Sequence, residues 1–310
     1  MVINIHPIRV ITISILACLM FTLGCSDERP ENYSKTSDAR IVLKIGLIPE
    51  QNIFNQLSRY KYLGDYLEKK TGIGIEFKVL TRYGNIVTDF SELKLDGAFF
   101  GSFTYAIAHS KFGVIPIARP ENPDGTSTYH GLIFTRNDSG IIGIDDMKGK
   151  IFAFVDKATT AGYLLPLAYF KNNKITDYNN FLKKTYFAGT HEDAIYDVLN
   201  KLADVGAAKN TVFYRLAQKD PRIKNELRII SRSPDVPENG LALRQGIEEK
   251  VANKIKETLL NMHHDPIGKT ALQAFGAVRF LETTDNDYKS VYSYASEIDL
   301  DLGSYDYNDD

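Results

Sequence analysis

At 310 residues the chain is long for a single core and short for three, so it carries either a bilobed body or one large domain. Its 37 basic and 39 acidic residues leave a net charge of −2, with the basic positions scattered, which excludes an electrostatic footprint for nucleic acid. Electrostatics therefore name no partner.

The chain opens MVINIHPIRVITISILACLMFTLGCSDERPEN. A cation at Arg9, an apolar stretch from Val10 to Leu23, then Gly24-Cys25 and a polar tail form a secretory leader, shorter than the roughly 18–20 apolar residues of a membrane span. The competing reading is an uncleaved N-terminal anchor. TLGC resembles the bacterial lipobox, although Thr22 stands where that motif prefers Leu. ILAC, ending at Cys18, is a second match, but it would leave LMFTLGC as an apolar mature end. The expectation is a signal peptide over 1–24, lipidation at Cys25 and a polar tether over 25–39, leashing a soluble body to the periplasmic side of an envelope membrane. Ser26 after the cysteine points to outer-membrane sorting in a Gram-negative cell. Cys18 and Cys25 are the only cysteines, so the mature chain has no material for a disulfide or a thiolate metal site.

From Arg40 the pattern alternates strands and helices. IVLKIGLIP is a buried-strand run, and Leu57, Tyr60, Leu63, Tyr66 and Leu67 then recur at helical spacing. GIEFKVLT is the next strand, GNIVTDFSELKL the next helix, and DGAFFG a short buried strand leading into SFTYAIAHSKFG. This βαβαβ order predicts a parallel sheet with helices on its faces. After the Pro/Gly-rich crossing at 120–128, the strands YHGLIFTRN, KIFAFVD, KKTYFAG and DVGAAKN repeat the same grammar, with helices after Gly162 and Thr190. Residues 227–244 read as a return strand broken by two prolines, and helices near 247–261 and 285–298 close the chain. Two α/β lobes joined by two crossings imply a cleft, with ligand beyond the carboxyl ends of the strands, where helix N-termini point inward.

Three turns at such strand ends carry small and hydroxylic residues. In VDKATTAGYLLP, Pro166 belongs near the first helical turn, so the helix starts close to Ala161. The amides of Thr160, Ala161, Gly162 and Tyr163 would then face the cleft beside the Thr159 and Thr160 hydroxyls, with Gly162 letting a ligand approach the backbone, a nest suited to a tetrahedral oxyanion. Helix capping by either threonine is the competing explanation. In FAGTHEDAI, Thr190 and Asp193 make a near capping box, and His191 falls on the first turn, within reach of an anion or merely at the surface. FFGSFTYAIA places Gly101, Ser102, Thr104 and Tyr105 at a third strand end, and TRYGN offers Tyr83 as core or cleft wall. No enzyme constellation stands out: there is no GxSxG, Walker or GxGxxG motif, and the His263-His264 pair lacks carboxylates at metal spacing.

At these turns the sequence resembles the phosphonate-binding family of periplasmic receptors, the soluble components of ABC importers for phosphonate, phosphite and phosphate. KIGLIPEQN is similar to the family's opening strand and Pro-acid turn, RYGNIVTDF to its Asp-Tyr segment, and LDGAFFGSFTYAIA to its Asp-small-Ala-x-x-Gly-Pro-x-Ser-Tyr run. RNDSGIIGIDDMKGKIFAFVDKATTAG is close to its D-S-G-I, D-L-K-G-K and D-x-x-S-T-S-G series, FAGTHEDAI to its Gly-x-His-Glu turn, and FLETTDNDYKSV to its late Asp-x-x-Tyr segment. The resemblance implies a type II periplasmic-binding fold, two α/β lobes closing on the ligand, with no cofactor, no metal and no catalysis. It also implies ligand contacts from Thr159, Thr160, Gly162, His191, Tyr83, Thr104 and Tyr105, and the third turn adds Ser102 to the expected ligand-binding residues. The sequence departs from the pattern at Thr159 (Ser in the family), Ala161 (a third hydroxyl), Ser102 (Pro) and Gly131 (often Ser). The expectation is a lipid-anchored receptor in which 40–125 and 230–310 form one lobe and 126–229 the other, serving an ABC permease and ATPase; the alternative is a receptor of the same fold feeding a membrane histidine kinase.

Overall fold

A run buried at Leu43 and from Ile45 to Leu47 forms the first strand, β1 (Val42–Leu47), and the structure, a computed structural model, describes residues 40–307 from just before it. The leader, the tether and Cys25 lie outside the described residues. Helix α1 (Ile53–Thr71) starts where the Asn52 side chain accepts the amides of Phe54 and Asn55, and ends at Gly72 with φ 72°. It buries Tyr60, Leu63, Tyr66 and Leu67 as expected, but Leu57, predicted on the same stripe, is exposed. The chain continues through β2 (Gly74–Val79), α2 (Asn85–Glu92), β3 (Gly97–Phe100), α3 (Ser102–Phe112) and β4 (Ile115–Glu121) to a short β5 (Thr128–Tyr129). The second half holds β6 (Gly131–Arg136), β7 (Ile151–Phe154), α4 (Leu165–Asn172), α5 (Tyr178–Phe181), β8 (Lys184–Phe187), α6 (His191–Leu199), β9 (Val205–Lys209), α7 (Asn210–Lys219), α8 (Pro221–Glu226) and β10 (Leu227–Arg232). Returning through β11 (Val236–Pro237), the chain adds β12 (Gly240–Leu243), α9 (Glu249–Asn261), α10 (Pro266–Phe275), β13 (Arg279–Glu282) and α11 (Lys289–Glu297).

Two sheets result, one in the order β13-β4-β12-β3-β1-β2 and the other β10-β6-β9-β7-β8; the two crossings pair with each other as β5 and β11. Most strands expected to be parallel are so, β1 with β2 and β3 and β7 with β8 and β9, but β6, read in the same grammar, is not. The sheets as wholes are mixed, because β12 lies antiparallel to β3 and β4, and β6 antiparallel to β9 and β10. These strands enter from a crossing rather than through a helical crossover, which is what a parallel neighbour requires. Strand β4, which the sequence reading passed over, carries Pro116 and Pro120, and a register shift opposite it at Leu241/Ala242 accommodates the interruption. Strand β10 pairs with β6 out to Arg232 opposite Leu132, so the second sheet extends past the 229/230 boundary expected from sequence.

Each sheet has apolar groups on both faces. One cluster joins β1, β3 and β12 to α1, α9 and α10; two more cover the faces of the second sheet. A fourth runs between the halves, bringing Ile86, Phe103 and Ala106 together with Val155, Ala158, Ala161, Leu164 and Ala194 and with Val291 of α11. Among the described residues no helix is long and apolar enough to cross a membrane.

Candidate ligand site between the two sheets

The carboxyl ends of the parallel strands converge on one polar cluster. From the first sheet come Glu50 after β1 and Ser102 and Thr104 after β3; from the second come Thr159 and Thr160 after β7, His191 after β8 and Lys209 at the end of β9. All but Glu50 among these are buried below a tenth of their surface. This is the placement expected for ligands of open α/β sheets.

The turn after β7 opens as a single π-helical turn, Thr160–Leu164, whose first bond runs from the Leu164 amide to the Thr159 carbonyl at 3.1 Å. The amides of Thr160 to Tyr163 therefore precede the helical ladder, and Pro166 sits at the first turn of α4 as expected. Thr159 is the N-cap by position but makes no side-chain cap bond; its hydroxyl donates to the Asp156 carbonyl at 2.6 Å. Thr160 does cap a helix, but one in the other half of the molecule: its Oγ1 accepts the Phe103 amide at 2.8 Å, in the first turn of α3, which has no side-chain cap of its own. Thr104 returns the contact by donating to the Ala158 carbonyl at 3.1 Å. The two strand-end turns thus face each other directly.

Gly162 has a different role from the one expected. A Cβ on it would lie 2.4 Å from Cβ and Cγ2 of Val155 and 2.8 Å from Thr159 Oγ1. Its missing side chain lets the turn pack against the end of β7, where the Val155 amide bonds the Gly162 carbonyl at 3.2 Å.

The protons of the hydroxyls sort the remaining candidates. Ser102 donates to the Pro237 carbonyl, and Tyr105 to Asp285 at 2.9 Å, in a group that also holds Tyr292 and His109. With Thr159 and Thr104 also committed to carbonyls, these four hydroxyls have no proton left for an anion. Tyr83 is the contrary case: it is buried and its hydroxyl has no hydrogen-bond partner. Burial, with Glu50 and Asp156 nearby, pushes its pKa well up, so it stays a neutral donor. Its ring meets His191 edge to face at 5.8 Å. His191 Nδ1 accepts the Lys209 amide at 3.3 Å, which leaves the proton on Nε2. Desolvation holds its pKa down to about 3, against the pull of Glu50, so this imidazole too is a neutral donor. What remains is Tyr83, His191 and the amides of the π turn, with Thr160, whose proton is shared between the cleft and the nearby Tyr129 hydroxyl, an arrangement of neutral donors that suits an oxyanion.

Sequence reasoning passed over Tyr129, Lys209, Glu238 and Asn239, and gave Glu50 no role. The Tyr129 hydroxyl lies within hydrogen-bonding reach of Ser102 and Thr160. Lys209 Nζ bonds Glu50 at 3.0 Å, Asn239 at 3.2 Å and a carboxylate oxygen of Glu238. Glu50 and Lys209 do stand at strand ends, the one positional signal available; Tyr129, Glu238 and Asn239 lie in the crossings, and only the β5–β11 pairing brings them in. Among the described residues no group of His, Cys, Asp and Glu could hold a metal ion.

Residues 45–288 match the family of ABC transporter phosphonate periplasmic substrate-binding proteins. The chain belongs to that family. Its members bind rather than transform their ligands, in keeping with the lack of an enzyme motif. Among relatives, the phosphonates-binding periplasmic protein of Escherichia coli is 25% identical, over 87% of this chain and 81% of its own. A probable ABC transporter phosphite-binding protein, PhnD1 of Prochlorococcus marinus, is 25% identical over 81% of this chain and 87% of its own. The fold agrees: PhnD1 in complex with methylphosphonate superimposes with a TM-score of 0.74 at 22% identity, covering 83% of this chain and 98% of that one. A phosphonate-transporter binding component from Pseudomonas aeruginosa gives 0.76 at 23%, covering 82% and 85%. The GluR0 ligand-binding core of Nostoc punctiforme, at 0.52 and 18%, extends the likeness to the wider type II binding-protein fold.

Proposed function

We propose that this receptor captures a small phosphorus oxyanion, a phosphonate, phosphite or phosphate, between its two sheets and presents it to an ABC permease and ATPase. The observation that carries the reading is the Tyr83 hydroxyl, buried without a partner beside the neutral His191 ring. An unpaired buried hydroxyl costs about 1–3 kcal/mol, and an anion accepting from Tyr83, His191 Nε2, Thr160 and the π-turn amides would recover it. Ser102, Thr104 and Thr159 then shape the walls, Gly162 seats the turn, and Tyr105 orients α3 through Asp285. The lobes in this reading are 40–125 with 233–310, and 126–232, hinged at the β5–β11 crossings. The leader over 1–24 and acylation of Cys25 tether the receptor to the envelope membrane.

Thermal unfolding against phosphate, phosphite, methylphosphonate, aminoethylphosphonate, sulfate and sulfonates tests the ligand class. A true ligand at about 100 times its dissociation constant adds about 2.7 kcal/mol of stability, and no response to any phosphorus oxyanion sinks the reading. A permease and ATPase encoded beside this gene agree with import; a histidine kinase in their place transfers the same cleft to sensing.

A further inference from the structure

Lys209 reaches from the end of β9 across the cleft, and its ammonium is fully enclosed. Glu50 Oε1 accepts at 3.0 Å, Asn239 Oδ1 at 3.2 Å and Glu238 Oε1 closer still, while the Tyr129 ring covers the charge with its centroid 4.4 Å from Nζ. Only 4% of the Lys209 side chain is exposed, with 12% of Glu50 and 6% of Glu238. Two carboxylates, an amide oxygen and an aromatic face are a complete recognition set for an alkylammonium. Nearly every component except the lysine comes from the first sheet or the crossings. The cage also adjoins the oxyanion donors: the Lys209 amide bonds His191, and the Glu50 charge acts on both His191 and Tyr83.

We propose that Lys209 is a built-in alkylammonium that fills this cage and restricts the cleft to phosphorus oxyanions lacking an amino group. The proposal rests on the oxyanion reading above for the ligand's acidic end, but the cage itself does not. A ligand bringing its own ammonium would find both carboxylates already engaged by Lys209, which cancels one of their two charges. It would also face Arg59 and Arg215, which line the adjoining small cavity with Lys209, Glu50 and Glu238, so that three cations oppose two anions there. The Arg215 Nε and Nη2 atoms are buried without partners, which makes the cavity still less hospitable to a second cation. Burial raises the Glu50 pKa, yet the adjacent Lys209 ammonium and Arg215 guanidinium outweigh it and hold the carboxyl below its usual range, to about 2.

Lys209→Ala removes Cγ to Nζ, the equivalent of propylammonium, and Lys209→Met removes the charge while keeping most of the volume. The melting temperature of each variant is measured in propylammonium chloride, sodium chloride and propanol. The expected result is that propylammonium alone restores Lys209→Ala, with little effect on Lys209→Met or the unaltered protein. If Lys209→Ala folds only with amine present, its refolding yield in propylammonium becomes the readout. Calorimetry with methylphosphonate and 2-aminoethylphosphonate supplies the second arm. The unaltered receptor is expected to prefer methylphosphonate by at least tenfold, and Lys209→Ala to reverse that preference by at least tenfold. Absence of amine rescue, or equal binding of both phosphonates by the unaltered protein, overturns the proposal. Should neither protein bind any phosphorus oxyanion, the oxyanion reading falls, and propylammonium rescue alone decides the cage.

Discussion

Replacing Gly162 by Ala adds one methyl group where the turn after β7 touches its own strand. In an unencumbered helix the change is favourable by about 0.5–1 kcal/mol, because glycine loses more backbone freedom on folding. Here the new Cβ would stand 2.4 Å from both Cβ and Cγ2 of Val155, and Val155 is fully buried. One of those atoms is fixed directly to the backbone, so no rotamer change relieves the contact. The turn must move by more than an ångström, stretching the 3.2 Å bond from the Val155 amide to the Gly162 carbonyl. Overpacking of this kind costs about 1–3 kcal/mol, and with a weakened hydrogen bond of about 1 kcal/mol the net loss is about 1–3 kcal/mol. Urea unfolding of the Gly162→Ala protein measures it, and the melting temperature should fall on the order of 5 °C. Val155→Gly removes the two closest clashing atoms and leaves only the 2.8 Å approach to Thr159 Oγ1, so the double variant should be more stable than the sum of the single effects by about 1 kcal/mol or more. Val155→Ala should give no such relief, because Cβ remains. A Gly162→Ala protein as stable as the original, but with weakened ligand affinity, refutes the packing argument and returns this glycine to ligand approach.

Thr160→Val removes the acceptor of the Phe103 amide and should cost about 1–3 kcal/mol of stability, together with about tenfold or more in oxyanion affinity; Thr160→Ser should retain both, and a stable Thr160→Val protein contradicts the cross-sheet cap. Acid should destabilise the fold through His191, whose pKa falls from 6.5 to about 3 on folding. Between those values the unfolded chain binds a proton that the native state refuses, so stability is lost as pH drops below 6.5, by up to about 1.4 kcal/mol per pH unit. Glu50, lowered from 4.5 to about 2, extends the loss below pH 4.5. Subtracting the urea-unfolding profile of His191→Gln from that of the unaltered protein between pH 7.5 and 5 should isolate the histidine slope, and parallel profiles refute the assignment. Cys25→Ser should release the receptor from the membrane fraction; if it stays bound while Cys18→Ser is released, the lipidated cysteine is the earlier one.

Local rules settled much of this protein in advance. The stripe of Tyr60, Leu63, Tyr66 and Leu67, the Thr190 cap of α6 and the Pro166 position at the start of α4 depend on residues within a few turns of one another, and there periodicity and capping chemistry suffice. The same holds for the three hydroxyl-bearing turns, which local pattern placed at strand ends and the fold brought to one cleft. What those hydroxyls do there was not legible. Each has one proton, and whether it goes to a carbonyl, as for Thr159 and Thr104, or remains available depends on the neighbour that packing supplies. The cage around Lys209 lies furthest from sequence reasoning: its partners are 159 and 29 residues away along the chain. A lysine at the end of a strand reads as a solvated charge, since burying it alone is prohibitive. Glu50 at the end of β1 supplies one carboxylate, but the second, Glu238, arrives only with the return of the chain through the β5–β11 crossings, and that pairing is a property of the assembled fold.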